Sequence, residues 1–255
     1  MPADLDPGAV LATLSAAGLP YTDVEIRDSV GSTNAELRRG PRPWRVVVAD
    51  EQVAGRGRLD RSWSTPPGVA LAVSVLLPPV PDPGWVPLFT GLAVHRAISD
   101  VADVATSLKW PNDVLVPVDG DRKVCGILCE MLPEGVLVGT GINVSQTRAQ
   151  LPVDTATSLA LAGAGRVDRQ RLLTAFLTRL HAVHAQSLRP ELYRGDYTAA
   201  CSTIGRDVVV ERAGTGPSRM QVTGVDASGR LVGLDGAGRD VVVAAGDVVH
   251  VRAQE

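Results

Sequence analysis

The chain has 255 residues, 45% hydrophobic and 21% charged, enough to bury a full core in one large unit or in a large and a small one. A formal net charge of -3 gives no global electrostatic case for nucleic acid or an acidic membrane as the main partner, so any anion binding must be local. Three cysteines make no disulfide framework, the start from Met1 to Asp6 is acidic rather than basic, and no apolar run is long enough to span a bilayer; a cytoplasmic protein is expected.

Asp6-Pro7, then Ala9, Val10, Leu11 and Leu14, then Gly18, carry the cap, first-turn proline and closing glycine of a short helix. Val24-Glu25-Ile26 alternates like a strand. The stretch from Ser29 to Glu36 reads as a loop entering a helix, with Thr33 and Glu36 at capping-box spacing. Capping alone would explain Ser32 and Thr33, although a helix start also suits a polar or anionic ligand. Residues 44–49 and 69–77 read as buried strands and residues 88–101 as a core-facing helix. Residues 107–115 read as strand, turn, strand, with the turn at Pro111-Asn112-Asp113. Residues 123–130 and 135–141 form a hairpin of apolar strands, the second ending in the small residues of Gly139-Thr140-Gly141-Ile142-Asn143-Val144. Helices are expected over residues 169–187 and 190–201. The pattern describes a mixed α/β sheet covered on one side. From Ile204 five short strands (208–210, 220–222, 231–234, 241–243 and 248–251) alternate with Gly, Asp and Ser turns, the texture of a small barrel, with a boundary near residue 203.

Between the two buried strands lies Gln52-Val53-Ala54-Gly55-Arg56-Gly57-Arg58, continuing through Asp60-Arg61-Ser62-Trp63. Guanidinium groups stay ionised and solvated, so this stretch cannot join a core, and its glycines allow close backbone approach. It reads as a mobile basic loop that wraps an anion, where a lone Arg-Gly pair would read as a solvated hairpin loop. Several chemistries are excluded. Asp60 stands where a dinucleotide fingerprint needs its third glycine, and no Gly-Lys-Ser/Thr follows. Cys125 and Cys129 read as buried hydrophobes, and His181 and His184 lack a third zinc ligand. The remaining polar groups gather at strand ends: Ser32, Thr33 and Asn34; Gln52, Arg56 and Arg58; Lys109, Asn112 and Asp113; Lys123; Asn143. Basic groups from separate loops suit charge developing on a phosphate. Asn112 beside Asp113 suits a hydrated Mg²⁺, and Ser32, Thr33 and Gln52 suit a neutral amide-like ligand.

Gly31-Ser32-Thr33-Asn34, Ala54-Gly55-Arg56-Gly57-Arg58, Lys109-Trp110-Pro111-Asn112-Asp113, Lys123 before Cys125-Gly126-Ile127-Leu128, and Gly139-Thr140-Gly141-Ile142-Asn143 together resemble the ordered motifs of the biotin protein ligases. The resemblance implies an α+β protein, with a mixed β-sheet catalytic domain resembling class II aminoacyl-tRNA synthetases over residues 1–203 and a small SH3-like β-barrel over residues 204–255. It is to the ligase-only group, without an N-terminal DNA-binding domain. It implies biotin and ATP as substrates with Mg²⁺, a biotinyl-5′-AMP intermediate, and transfer to a lysine of the biotin carboxyl carrier domain of an acyl-CoA or pyruvate carboxylase. No nucleic-acid or membrane partner is implied, and a homodimer is compatible with it. Carried over by position, Ser32, Thr33 and Gln52 hold the ureido ring, with Gly55 and Arg56 closing over it; Asn34 and Gly57, of the same motifs, join the ligand-binding set, and Gly55 and Gly57 suit a loop that moves. Gly126 and Leu128 line the biotin pocket. Arg58 and Lys123 flank the carboxylate and α-phosphate, Trp63 and Asn143 contact adenosine, and Asn112 lies near phosphate or metal. Asp113 either aids the metal or orients the incoming amine. Val53 stands where the family often has a polar or small residue. A lipoate- or octanoate-attaching enzyme of the same fold and a nucleic-acid binder using Arg56, Arg58 and Arg61 are the rival readings; the basic loop and the Lys-Trp-Pro-Asn-Asp run disfavour the first, the acidic net charge the second.

Overall fold

A computed structural model describes residues 5–58, 61–189, 191–212, 215–244 and 247–250. Of the features read from the sequence, the acidic start at Met1 to Asp4, Asp60, Pro190 and Val251 lie outside the described residues.

The larger sheet runs in the order β1 (Asp23–Val30), β2 (Arg45–Arg56), β4 (Ala70–Leu77), β8 (Gly135–Asn143), β7 (Arg122–Leu132), β6 (Asp113–Val116), β5 (Ser107–Lys109), with β3 (Ser62–Thr65) paired to β2. β1 and β2 are parallel and the other pairs antiparallel, so the sheet is mixed. Alternation of side chains along each strand then sorts the residues onto two faces. On one face, Val46, Val48, Leu71, Val73, Val75, Val138, Ile142, Cys125, Ile127, Val114 and Leu108 join a single apolar core. Helices α1 (Pro7–Ala16), α3 (Val86–Ala102), α4 (Arg169–Ala185) and α5 (Glu191–Ala200) supply the rest of that core through residues such as Leu14, Phe89, Leu92, Phe176, Leu180 and Tyr197. The other face carries smaller and more polar residues. Register sets Ala72 against Gly141, Ser74 against Gly139, Gly126 against both Gly141 and Asp113, and Lys109 against Asp113. Among the described residues the one α-helix that packs there is the six-residue α2 (Thr33–Arg38), burying Leu37 against Val47, Leu76 and Leu137.

Asp6 caps α1 by accepting from Gly8 N and Ala9 N at 2.8 and 3.1 Å, as the sequence indicates. At α2 the capping reading is corrected. Ser32 is the N-cap residue yet makes no capping bond through its side chain, and Thr33, one residue inside, turns its hydroxyl toward Gln52 and Ser74. The loop expected from Gln52 onward is also corrected. β2 continues to Arg56 because β3 gives it an antiparallel partner, with Gly55 opposite Trp63 and Arg56 opposite Ser62. Tertiary pairing outweighs the local loop signal of two glycines.

A second, antiparallel sheet follows in the order β12 (Asp240–Val243), β11 (Leu231–Asp235), β10 (Thr215–Val225), β9 (Asp207–Arg212), β13 (Asp247–His250). Its turn at residues 226–230 docks on the larger unit. Ala227 O accepts from the Trp85 indole at 2.9 Å and from Arg194 at 2.7 Å, and Gly229 O accepts from the Trp110 indole at 3.0 Å. Among the described residues no helix is long and apolar enough to cross a membrane.

Candidate active site

The face of the larger sheet beyond α2 forms a cleft of about 1520 Å³. Pockets for a single small ligand are commonly ~300–1,000 Å³, so this cleft has room for two ligands side by side. Every site residue read from the sequence lines it except Gly55: Ser32, Thr33, Asn34, Gln52, Arg56, Gly57, Arg58, Trp63, Asn112, Asp113, Lys123, Gly126, Leu128 and Asn143 all border this space. Strands and loops far apart in sequence meet here because β4, β8, β7 and β6 are neighbours in the sheet.

One end is uncharged. Gln52 Oε1 accepts from the Thr33 backbone N–H at 2.9 Å and lies 3.1 Å from Thr33 Oγ1, while Gln52 Nε2 donates to Trp63 O at 3.4 Å. Gly55 sits behind this amide, not in the cleft. A Cβ on it would lie 1.9 Å from Gln52 Nε2 and 2.2 Å from Trp63 O, so the glycine is what lets Gln52 lie flat. The glycine thus makes room for Gln52 beside the cleft.

The middle is floored by glycines, and Trp63 lies on them. A Cβ on Gly141 would be 2.4 Å from Trp63 Nε1, closer than atoms can pack. Among the described residues Trp63 Nε1 is buried without a hydrogen-bond partner. Asn143 is more committed, donating to Thr157 O and accepting from Gln146, each at 2.8 Å.

The other end is ionic. Lys123 Nζ is 2.6 Å from Asp113 Oδ1, an ion pair rather than a well-directed hydrogen bond, and 5.3 Å from the Trp63 ring centroid. Arg58 donates to Asn112 Oδ1 at 3.3 Å, and Asn112 Nδ2 donates to Ile127 O at 3.0 Å. Adjacent residues of one turn therefore bring Arg58 and Lys123 to the same end of the cleft. As a metal set, Asn112 and Asp113 fit poorly. The only carboxylate of the two faces an ammonium, the amide oxygen faces a guanidinium, and among the described residues no group of three or more His, Cys, Asp or Glu comes together. Burial pushes the Cys125 thiol up, against the nearby Lys123 charge, so no thiolate nucleophile is available there.

Sequence reasoning missed Ser62, Thr155 and Arg206, which also border the cleft, and Ser74, which lies beneath it. Only Ser74 had a local signal, a lone hydroxyl inside the otherwise apolar strand β4.

Hydroxyl and amide groups at one end of a cleft and two cations at the other are the donor set that suits an enzyme activating an acid with a nucleotide. The family model that matches, over residues 30–146, is the biotin/lipoate A/B protein ligase family. The chain is 36% identical to the biotin--[acetyl-CoA-carboxylase] ligase of Mycobacterium tuberculosis, covering 97% of this chain and 96% of that protein. It is 31% identical to the ligase of the same name from Paracoccus denitrificans, over 84% of this chain and 95% of that one. Among solved structures, the biotin protein ligase from Aquifex aeolicus in complex with biotin and ATP superposes with a TM-score of 0.79 at 28% identity, covering 91% of this chain and all of that one. The chain belongs to the biotin protein ligases.

Proposed function

We propose that this enzyme joins biotin to the α-phosphate of ATP and passes the biotinyl group to a lysine of a carboxylase's biotin carboxyl carrier domain. In the first step a carboxylate oxygen of biotin bonds to the α-phosphorus as the bond to the β-phosphate bridge breaks, giving biotinyl-5′-AMP and pyrophosphate. In the second, the lysine amine bonds to the acyl carbon and AMP leaves.

The observation that carries this reading is the convergence of Arg58 and Lys123, through Asn112 and Asp113, at the end of the cleft away from Thr33 and Gln52. Negative charge grows on the α-phosphate oxygens as the fifth bond forms, and preorganised cations in a half-buried site stabilise that charge. Ser32, Thr33 and Gln52 take the ureido ring, with Asn34 in support and Arg56 and Gly57 at the rim; Gly126 and Leu128 pack on the apolar part of biotin, and Trp63 and Asn143 face the adenosine. Mg²⁺ enters with ATP as part of the substrate. The acceptor amine, with an ordinary pKa of about 10.4, has to lose a proton before it attacks, and Asp113 is the nearby carboxylate. The adenylate is prone to hydrolysis, which favours a rim that closes. We assign residues 1–203 to the catalytic unit, with a sheet resembling that of class II aminoacyl-tRNA synthetases, and residues 204–255 to a small SH3-like unit.

ATP–pyrophosphate exchange with biotin or lipoate as the sole acid tests the first step. Exchange with biotin only is expected, and exchange with lipoate only would overturn the substrate. Mass spectrometry of a carrier domain after incubation with biotin and MgATP tests the second step; an unmodified lysine would overturn the transfer.

A further inference from the structure

Beneath the uncharged end of the cleft runs a chain of side chains that ends on a carboxylate outside it. Asn34 Nδ2 donates to Glu130 Oε1 at 2.7 Å, and Arg38 pairs with Glu130 Oε2. Ser74 Oγ donates to Asn34 Oδ1 at 2.6 Å and lies 2.8 Å from Thr33 Oγ1. Thr33, Asn34, Gln52 and Ser74 are all buried, so water does not reorder these bonds.

The direction of the chain follows from what each group can donate. A carboxylate only accepts, so the Asn34 atom facing Glu130 is its NH₂ and its oxygen must face Ser74. That oxygen also only accepts, so the single Ser74 proton goes to it and not to Thr33. Gln52 Oε1 is likewise fixed as an acceptor by the Thr33 backbone N–H. The one proton of Thr33 Oγ1 therefore points inward, to Ser74 Oγ or Gln52 Oε1, and its free lone pair faces the cleft. Were Asn34 to flip, its NH₂ would face Ser74, the Ser74 proton would turn to Thr33, and the Thr33 proton, displaced from Ser74, would be free to point into the cleft, so that Thr33 would no longer be fixed as an acceptor.

We propose that Glu130, acting through Asn34 and Ser74, is a positioning residue that fixes Thr33 as a hydrogen-bond acceptor for a ureido N–H of biotin. This rests on the reading of the cleft as a biotin site. Ser32, whose side chain makes no capping bond at the start of α2, is left to donate to the ureido oxygen.

The test is biotin and ATP binding by calorimetry to the full chain and to Glu130→Leu, Arg38→Ala and the double variant Arg38→Ala/Glu130→Gln. Glu130→Leu should weaken biotin about tenfold, the loss of one hydrogen bond to a buried acceptor, and change ATP affinity less than about twofold. Arg38→Ala should bind biotin within about twofold of the parent, because Asn34 keeps its acceptor. In the double variant the amide carbonyl that replaces the carboxylate has no guanidinium to hold it and can face Asn34, so biotin affinity should return to within about threefold of the parent. Unchanged biotin affinity in Glu130→Leu overturns the proposal. So does an equal loss in Arg38→Ala, or an equal loss of ATP affinity, since either would mean that the ion pair merely holds the fold. A parent chain that binds no biotin at all would instead sink the functional reading.

Discussion

Lys123 has an anion on one side and an aromatic face on the other, Asp113 Oδ1 at 2.6 Å and the Trp63 ring centroid at 5.3 Å. Neither contact requires a lysine for folding, because the side chain is still 29% exposed at the edge of the cleft. Lys123→Ala should therefore slow adenylate formation by roughly 10²–10³-fold, the loss expected for one preorganised donor to a developing oxyanion, with little change in melting temperature. Pyrophosphate exchange beside a melting curve reads both, and near-parental exchange would remove Lys123 from the chemistry. Residues of this kind are legible in a sequence because a cation beside an apolar strand is conspicuous. Glu130 is not, since a carboxylate near a strand end is a common surface residue, and its bond to Asn34 arises only when β7 and α2 meet in the fold. Gly55 was legible as special, but the sequence does not show that its neighbour Gln52 Nε2 occupies the space a Cβ would need.

At the scale of elements, strand alternation and helical periodicity located almost every core segment, because burial of one face constrains many residues at once. The short pairing of β2 with β3 escaped, since four residues with an exposed, mixed pattern carry little periodic signal. The join between α4 and the sheet also escaped. Arg169 at the start of α4 is 3% exposed and donates through Nη1 to Asp50 Oδ1 at 2.6 Å and to Ala70 O at 3.1 Å. Nothing in the spacing of residues 50 and 169 links them. Arg169→Met should leave the Asp50 carboxylate buried without its cation and cost about 3–5 kcal/mol, or roughly 10 °C in melting temperature for a chain of this size. A loss below about 1 kcal/mol in urea unfolding would show that Asp50 is rescued by water. The helices also set a pH dependence. Burial, chiefly, holds His95 of α3 and His184 of α4 below the usual imidazole range. As pH falls, the unfolded chain then takes up protons before the folded one, so their contribution is complete above about pH 6.5 and is lost below it, toward their lower folded values. Melting temperature should accordingly fall between pH 7.5 and 5.5, and a flat profile would contradict the burial of these rings.

The molecule as a whole places its second sheet against the segment that presents Asn112 and Asp113. Val208, Val210, Met220, Val222, Leu231, Val243 and Val248 of that sheet belong to the same apolar cluster as the catalytic core, so the two units pack as one body. The contact nearest the chemistry is the turn at residues 226–230. Its Gly229 carbonyl takes the Trp110 indole N–H, two residues before Asn112, and its Ala227 carbonyl takes the Trp85 indole N–H. The fit is close, since a Cβ on Gly84 would stand 2.3 Å from Ser228 O and that neighbour is backbone. Gly84→Ala must therefore push the turn away from Trp85 and Trp110 rather than swing a side chain aside. Overpacking of this kind costs about 1–3 kcal/mol, which for a chain of this length lowers the melting temperature by roughly 2–10 °C. If the turn also steadies Trp110 and the two residues beyond Pro111, pyrophosphate exchange measured well below the new melting temperature should fall with it, while biotin affinity, set at the far end of the cleft, should not. A variant that loses stability but keeps full exchange would make the second sheet a support for the fold alone. One that keeps both would mean the turn docks more loosely than these contacts indicate.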